Sequence, residues 1–332
     1  MKKFKTIPNM YKNVSVIGCG RWGSFLSYYT AKYCTENVLL YGRENSETYK
    51  NLEKNRRNEY LALLDNISLT SKIEEILLNN LIFISIGCQN LRALAKELNN
   101  YNLEGKIFIL AMKGLEINTC KRLSEIMFEE IKQNIKVCVL LGPGHVQDYI
   151  NNIPSCAVVD STDENVKKEV ANFLNSNLMR VYYGDDIIGN EIGAALKNVI
   201  GIVAGILDGL NWYGLKGALM TRAPLEVGRI IENFGGNKKS AYGLAHLGDY
   251  EATLFSKNSH NRQFGENLVK GIGFDKLAEG YYTLEAIYKF ILEKNIYAPI
   301  CKNLYKFIYE KAEFNEIFDE LFNRESKREF DL

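Results

Sequence analysis

Short apolar runs punctuate the first half of the chain: VSVI at 14–17, VLLY at 38–41, LIFISI at 81–86, IFILAM at 107–112 and VCVLL at 137–141. Segments of helical periodicity, such as residues 21–33, fall between them. Such alternation predicts a parallel sheet joined by crossover helices. SCAVVD and RVYYG, flanking a polar helical segment at 163–177, extend the same pattern. Past Asp185 the strand-like runs stop, and long helical segments follow, separated by glycine-bearing turns. The change predicts an α/β Rossmann-type domain over residues 1–185 and an all-α domain over residues 186–332 that opens with a helix at 187–210. A charged tail, 324–332, is expected to fray.

A chain of 332 residues suits two domains, each with its own core. Lysine and arginine total 41 against 40 acidic residues, which gives no global attraction to nucleic acid or an acidic membrane. Any anionic ligand must therefore meet a local cluster of donors. The opening MKKFKTIPNMYKN is basic, but the apolar run after it is too short for a signal peptide. The strongly apolar stretch at 199–207 is too short to cross a bilayer. A cytoplasmic protein without membrane insertion is expected. Cys19, Cys34, Cys88, Cys120, Cys138, Cys156 and Cys301 are odd in number and scattered, as reduced, packed thiols are. With no CxxC and only His145, His246 and His260, no metal site is expected.

Gly18, Gly20 and Gly23 form a G-x-G-x-x-G placed after a strand and before a helix. Gly18 permits the tight turn, Gly20 lets a pyrophosphate approach the backbone, and Gly23 lets the helix close on the strand. The helix start then offers unpaired N–H donors to the anion. A generic glycine turn is the alternative. An NAD site usually carries an acidic residue at the end of the second strand, whereas this one ends Tyr41-Gly42-Arg43. Arg43 either neutralises a 2′-phosphate, with Glu44 beside it for the ribose, or is a solvated surface charge.

Residues 192–207, IGAALKNVIGIVAGIL, read as a helix buried on nearly every face, with Lys197 and Asn198 as its strongly polar members. Burial disfavours the ammonium, so Lys197 suits proton exchange with a substrate hydroxyl; alternatively its stem packs while its head reaches solvent. Asp208 falls near the same face and could orient polar groups there. Gly201, Gly205 and Gly209 recur every four residues, as where another backbone packs closely. Lys113 and the loop Gly142-Pro143-Gly144-His145 follow strands at the edge where open α/β sheets bind ligands, or are ordinary turns. Asp249 and the cluster Ser259, His260, Asn261 and Arg262 add polar groups, with Ser259 as a helix N-cap.

Together these motifs, with IGNEIGAALKNVIGIVAGILDGL, KGALMTR, GLAHLGD and SHNRQFG, resemble the bacterial NAD(P)-dependent glycerol-3-phosphate dehydrogenases from residue 14 to about 299. The resemblance implies Lys197 as the proton acceptor of the oxidative direction. It implies Lys113, Gly142, Lys197, Asp249, Ser259, His260 and Asn261 around a small phosphorylated substrate. For NAD or NADP it implies Gly18, Gly20, Arg21, Trp22, Gly23, Arg43, Lys113, Val146, His260 and Glu279, with Arg21 at the usual serine position. Homodimers are common in such enzymes. Two departures stand out: Gly144 replaces a serine of the pattern S-G-P-S-F-A, and His260 replaces an arginine. Loss of that guanidinium weakens phosphate binding by about 1.5–3 kcal/mol unless Arg262, His145 or Lys216 compensates. A related hydroxyacid reductase, or a nucleotide-binding sensor with weakened catalysis, are the competing expectations.

Overall fold

The computed structural model describes residues 11–257, 259–326 and 328–329. The start of the basic opening segment, with Lys327 and residues 330–332 of the charged tail, lies outside them. Two compact units emerge. One reaches Lys113 and resumes over Leu123–Ile187; the other holds Gly114–Arg122 and the chain from Ile188.

Among the described residues the first unit carries eight strands: β1 (Asn13–Ile17), β2 (Asn37–Tyr41), β3 (Ile67–Thr70), β4 (Leu81–Ile84), β5 (Ile107–Leu110), β6 (Lys136–Leu141), β7 (Ser155–Ser161) and β8 (Met179–Tyr183). Seven α-helices accompany them among the same residues: α1 (Arg21–Tyr33), α2 (Glu47–Asn55), α3 (Ile73–Ile76), α4 (Leu91–Leu98), α5 (Leu123–Glu130), α6 (Val146–Ile150) and α7 (Glu164–Leu174). The sheet order is β3-β2-β1-β4-β5-β6-β7-β8. Every residue of β4 and β5 is buried, as strands covered on both faces require. From β1 the chain winds outward to β2 and β3, then returns to β4 on the other side. That reversal opens a crevice beyond the carboxyl ends of β1 and β4.

The expected all-parallel sheet needs one correction. β7 runs antiparallel to β6, and parallel pairing resumes between β7 and β8 through α7. The connection between β6 and β7, residues 142–154, carries only the five-residue helix α6, and the chain doubles back beside β6. β5 also ends at Leu110, two residues short of the apolar run, although the Ala111 amide still donates to the Ile84 carbonyl at 2.9 Å. Burial pushes the Cys34 and Cys138 thiols up to about 12, so both stay protonated packing groups.

The second unit is built from α8 (Ile187–Gly209), α9 (Leu215–Asn233), α10 (His260–Val269), α11 (Glu279–Glu293), α12 (Pro299–Tyr309) and α13 (Phe314–Phe322). Between α9 and α10 lie short 3₁₀ turns at Lys238–Tyr242 and Leu247–Asp249 and a π turn at Glu251–Phe255. The helix α8 extends beyond the apolar run that suggested it and by length and composition could span a bilayer, yet 83% of its most apolar window is buried inside this protein. Ile192, Leu196, Val199, Ile202 and Ile206 pack with Val227, Ile230, Leu284 and Ile287 of α9 and α11. Glu226 of α9 is fully buried and caps α12, accepting from the amides of Ile300 and Cys301 at 2.8 Å each.

Candidate active site

In the first unit the glycine loop joins β1 to α1. Gly18 holds φ +106°, and a Cβ there would overlap the Ser85 carbonyl at the end of β4. A Cβ at Gly23 would overlap the Gly18 carbonyl, so α1 packs backbone to backbone on the loop. At Gly20 the same construction meets nothing within 4 Å, leaving this face open to a ligand. Gly20 caps α1 without a side chain, and its first turn holds no carboxylate, so the N–H donors there suit an anion.

A cavity of about 460 Å³ continues from this loop, walled by Gly18, Gly20, Tyr41, Arg43, Ser85 and Asn90 among others. Ser46 and Thr48 add hydroxyls beside Arg43, and Glu97 adds a carboxylate. Shape and donors fit a dinucleotide, whose pyrophosphate Gly18 and Gly20 would hold and whose adenosine end would face Arg43. Arg21 points elsewhere, donating to Gln147 Oε1 at 2.5 Å and lying over the Tyr60 ring at 4.8 Å. Further along the carboxyl edge, Lys113 donates to the Gly142 carbonyl at 3.2 Å. Gly144 holds φ +144°, and Tyr149 occupies the space a side chain there would need.

In the second unit Lys197 sits mid-way along α8 and is 7% exposed. Its ammonium lies 2.7 Å from Asp249 Oδ2 and donates to Thr253 Oγ1 at 2.6 Å. Asp249 and Thr253 are each 1% exposed, so an ion pair and a hydroxyl are held together in a low-dielectric setting. The carboxylate stabilises the ammonium that desolvation opposes. One turn further, the bare surface at Gly201 receives Thr253 and Asn261. Ser259 caps α10, accepting from the Arg262 amide at 3.3 Å, and Asn261 Oδ1 accepts from the Gly280 amide at 2.8 Å beside Glu279. His260 opens α10, its Nδ1 3.2 Å from the Leu277 carbonyl.

The sequence matches two family models: NAD-dependent glycerol-3-phosphate dehydrogenase N-terminus over residues 13–167, and the C-terminus of the same enzyme over residues 186–319. A Clostridium botulinum relative, glycerol-3-phosphate dehydrogenase [NAD(P)+], is 35% identical across 95% of this chain and 98% of its own. The chain belongs to the NAD-dependent glycerol-3-phosphate dehydrogenase family. A relative of the same description from Halothermothrix orenii is 32% identical over 97% of this chain and 98% of its own. The fold is similar to that of the glycerol-3-phosphate dehydrogenase crystal structure from Coxiella burnetii, at TM-score 0.87 and 24% identity, covering 96% of this chain and 100% of that one.

Within this family framework the structure gathers the residues singled out by sequence into two groups. Lys113 and Gly142 meet in the first unit, as do Gly18, Gly20 and Arg43 around the cavity. Lys197 and Asp249 meet in the second, and Ser259, His260 and Asn261 share the start of α10. Trp22 packs near Tyr149, their rings 6.4 Å apart, and Val146 begins α6. Asp208 is a correction. It does not align polar groups with Lys197 but binds Lys216 at 2.5 Å and Arg262 at 2.8 Å. Arg262 also holds Glu266 and the Ser256 carbonyl, and Lys216 the Leu254 carbonyl. The two cations expected to replace the missing arginine are thus committed to structural partners. Thr253 escaped sequence reading, although its place four residues after Asp249 was a usable signal.

His246 also escaped it. The ring is fully buried, and desolvation lowers its pKa from 6.5 to about 4. The unfolded chain therefore binds a proton that the folded chain refuses, and stability falls as pH drops from about 6.5 through 4. The full loss is about 3 kcal/mol. Glu226 acts in the opposite sense, since burial raises its carboxyl. Denaturant unfolding of His246→Asn and the parent protein across pH 4 to 7 separates the two: the difference between their stabilities is expected to shrink on acidification.

Proposed function

We propose that this chain interconverts dihydroxyacetone phosphate and sn-glycerol 3-phosphate with NADH or NADPH, in the cytoplasm, as a provider of glycerol phosphate for glycerophospholipid synthesis or a link between glycerol metabolism and glycolysis. Residues 1–185 serve the cofactor and residues 186–332 the substrate. The observation that carries the reading is the buried ion pair of Lys197 and Asp249, with the Thr253 hydroxyl on the same ammonium. Bound nicotinamide supplies hydride to, or takes it from, the substrate C2. During reduction the Lys197 ammonium gives its proton to the C2 carbonyl oxygen, and during oxidation the amine removes the C2 hydroxyl proton. Asp249 and Thr253 fix the direction of that N–H, and a carboxylate beside it keeps the proton on lysine until hydride arrives. Lys113 of the first unit and Ser259, His260 and Asn261 of the second are each proposed as substrate contacts, the α10 start offering N–H donors to a phosphate.

Steady-state rates with dihydroxyacetone phosphate test this directly. Turnover, followed by reduced-nicotinamide absorbance, is expected with both cofactors. Cofactor binding without turnover would favour a regulator, and turnover only with carboxylate analogues a related reductase. Arg43 and the hydroxyls of Ser46 and Thr48 favour a 2′-phosphate in the cavity. Arg43→Ala is expected to lower kcat/KM for NADPH by about 10-fold or more while sparing NADH, equivalent to one charge-assisted contact. An unchanged ratio would remove Arg43 from cofactor selection. Sedimentation would show whether the chain dimerises as related enzymes do.

A further inference from the structure

We infer that His246 is a positioning residue that fixes the helix carrying Lys197 against the turn carrying Asp249. The inference rests on the reading of Lys197 as the proton-transfer group. Its basis is one buried ring with a bond on each side. Nδ1 lies 2.9 Å from the Gly193 carbonyl, and Gly193 precedes Lys197 by one turn on the same face of α8. By helix geometry that carbonyl also accepts from the Lys197 amide, so the imidazole grips the backbone turn from which the lysine projects.

A carbonyl oxygen only accepts, so Nδ1 carries the proton and Nε2 is left with a lone pair. Tyr250 therefore donates its hydroxyl to Nε2, at 2.8 Å. Tyr250 follows Asp249 directly, and the Asp249 amide donates to the His246 carbonyl at 3.0 Å. The residue thus holds the catalytic turn from both sides of Asp249 while holding α8 through Gly193. Sequence makes room for this arrangement: a Cβ on Gly193 would stand 3.0 Å from the His246 Cβ, so the glycine recess seats the side chain.

Of the two neutral tautomers only the Nδ1–H form serves both bonds, and the surroundings keep the ring neutral. His246 is fully buried, which disfavours a charged ring, and with Nε2 protonated the Tyr250 hydroxyl would have to accept where it now donates. Asp249 and Lys197 act on the ring in opposite senses, while from α9 and α12 Glu226 and Cys301 bear on the Tyr250 hydroxyl. A neutral imidazole is a neutral spacer, which leaves the charge of Asp249 to Lys197.

Two measurements test the role. In ¹⁵N-edited NMR of the full-length wild-type protein, His246 is expected as the Nδ1–H tautomer, without titrating through the neutral range. An Nε2–H tautomer would overturn the inference with no variant made. In steady state, Tyr250→Phe and His246→Gln each break one side of the link. Each is expected to lower kcat about 10-fold with the substrate KM changed less than two-fold, because the proton-transfer geometry loosens while the phosphate contacts stay. Wild-type kcat in both variants removes the inference alone. A wild-type protein that never turns over dihydroxyacetone phosphate removes the Lys197 reading, and the inference with it.

Discussion

Lys197→Met is expected to lower kcat in both directions by about 10²–10⁴-fold, the span that a positioned general acid or base contributes. Substrate KM should move far less, because the phosphate donors proposed at Ser259, His260, Asn261 and Lys113 are untouched. Stability will suffer as well. Methionine replaces the aliphatic stem but leaves the Asp249 carboxylate, 1% exposed, without the ammonium now 2.7 Å away. Breaking one side of such a buried pair costs about 3–5 kcal/mol. A second change, Asp249→Asn, removes the stranded charge, so Lys197→Met/Asp249→Asn is expected to recover most of the stability and none of the activity. Unfolding midpoints and steady-state rates on the three proteins separate the two consequences. If the double variant turned over at the wild-type rate, Lys197 would be a structural cation and the proton would come from elsewhere.

How much of this was legible beforehand follows from the range of the interactions involved. Local spacing carried the glycine loop, because turn, close approach and helix packing all fall within six residues, Gly18 to Gly23. Lys197 was legible for a related reason: an apolar helix with one lysine near its middle announces burial without any knowledge of its partners. The partners were another matter. Helical periodicity placed Asp208 near the lysine's face, yet Lys216 from α9 and Arg262 from α10 reach it first, and no periodicity within α8 reports what two other helices present. His246 lay inside a motif noticed only as a string, since its role depends on a carbonyl 53 residues earlier. The reversed strand β7 was hidden likewise. Strand runs show burial, not direction, and the antiparallel pairing of β7 with β6 is a long-range choice that neither run reports.

The glycines of α8 show where fold and site cannot be changed separately, and Gly205→Ala is the sharpest case. A methyl there would fall on the Arg262 carbonyl of α10, and reciprocally a methyl at Gly265 would fall on the Ile202 carbonyl of α8. Both obstacles are backbone, so no rotamer change relieves them and the two helices must separate. The expected loss is about 3 kcal/mol or more for either substitution, after allowing for the better helix propensity of alanine. Gly201→Ala, one turn nearer Lys197, differs in kind. Its methyl meets the Thr253 methyl and, at 3.3 Å, the Asn261 Cβ, both side-chain atoms, and it is expected to cost about 1–3 kcal/mol, less than Gly205→Ala. Function should rank differently from stability. Displacing Thr253 disturbs the hydroxyl that orients the Lys197 ammonium, so Gly201→Ala is expected to lower kcat more than Gly205→Ala does while its unfolding midpoint falls less. Gly205→Ala moves the whole start of α10 with Ser259 and Asn261, and should raise substrate KM together with the loss of stability. Thermal unfolding and steady-state kinetics of Gly201→Ala, Gly205→Ala and Gly265→Ala test the ranking, and equal effects at Gly201 and Gly205 would contradict the backbone contact between α8 and α10.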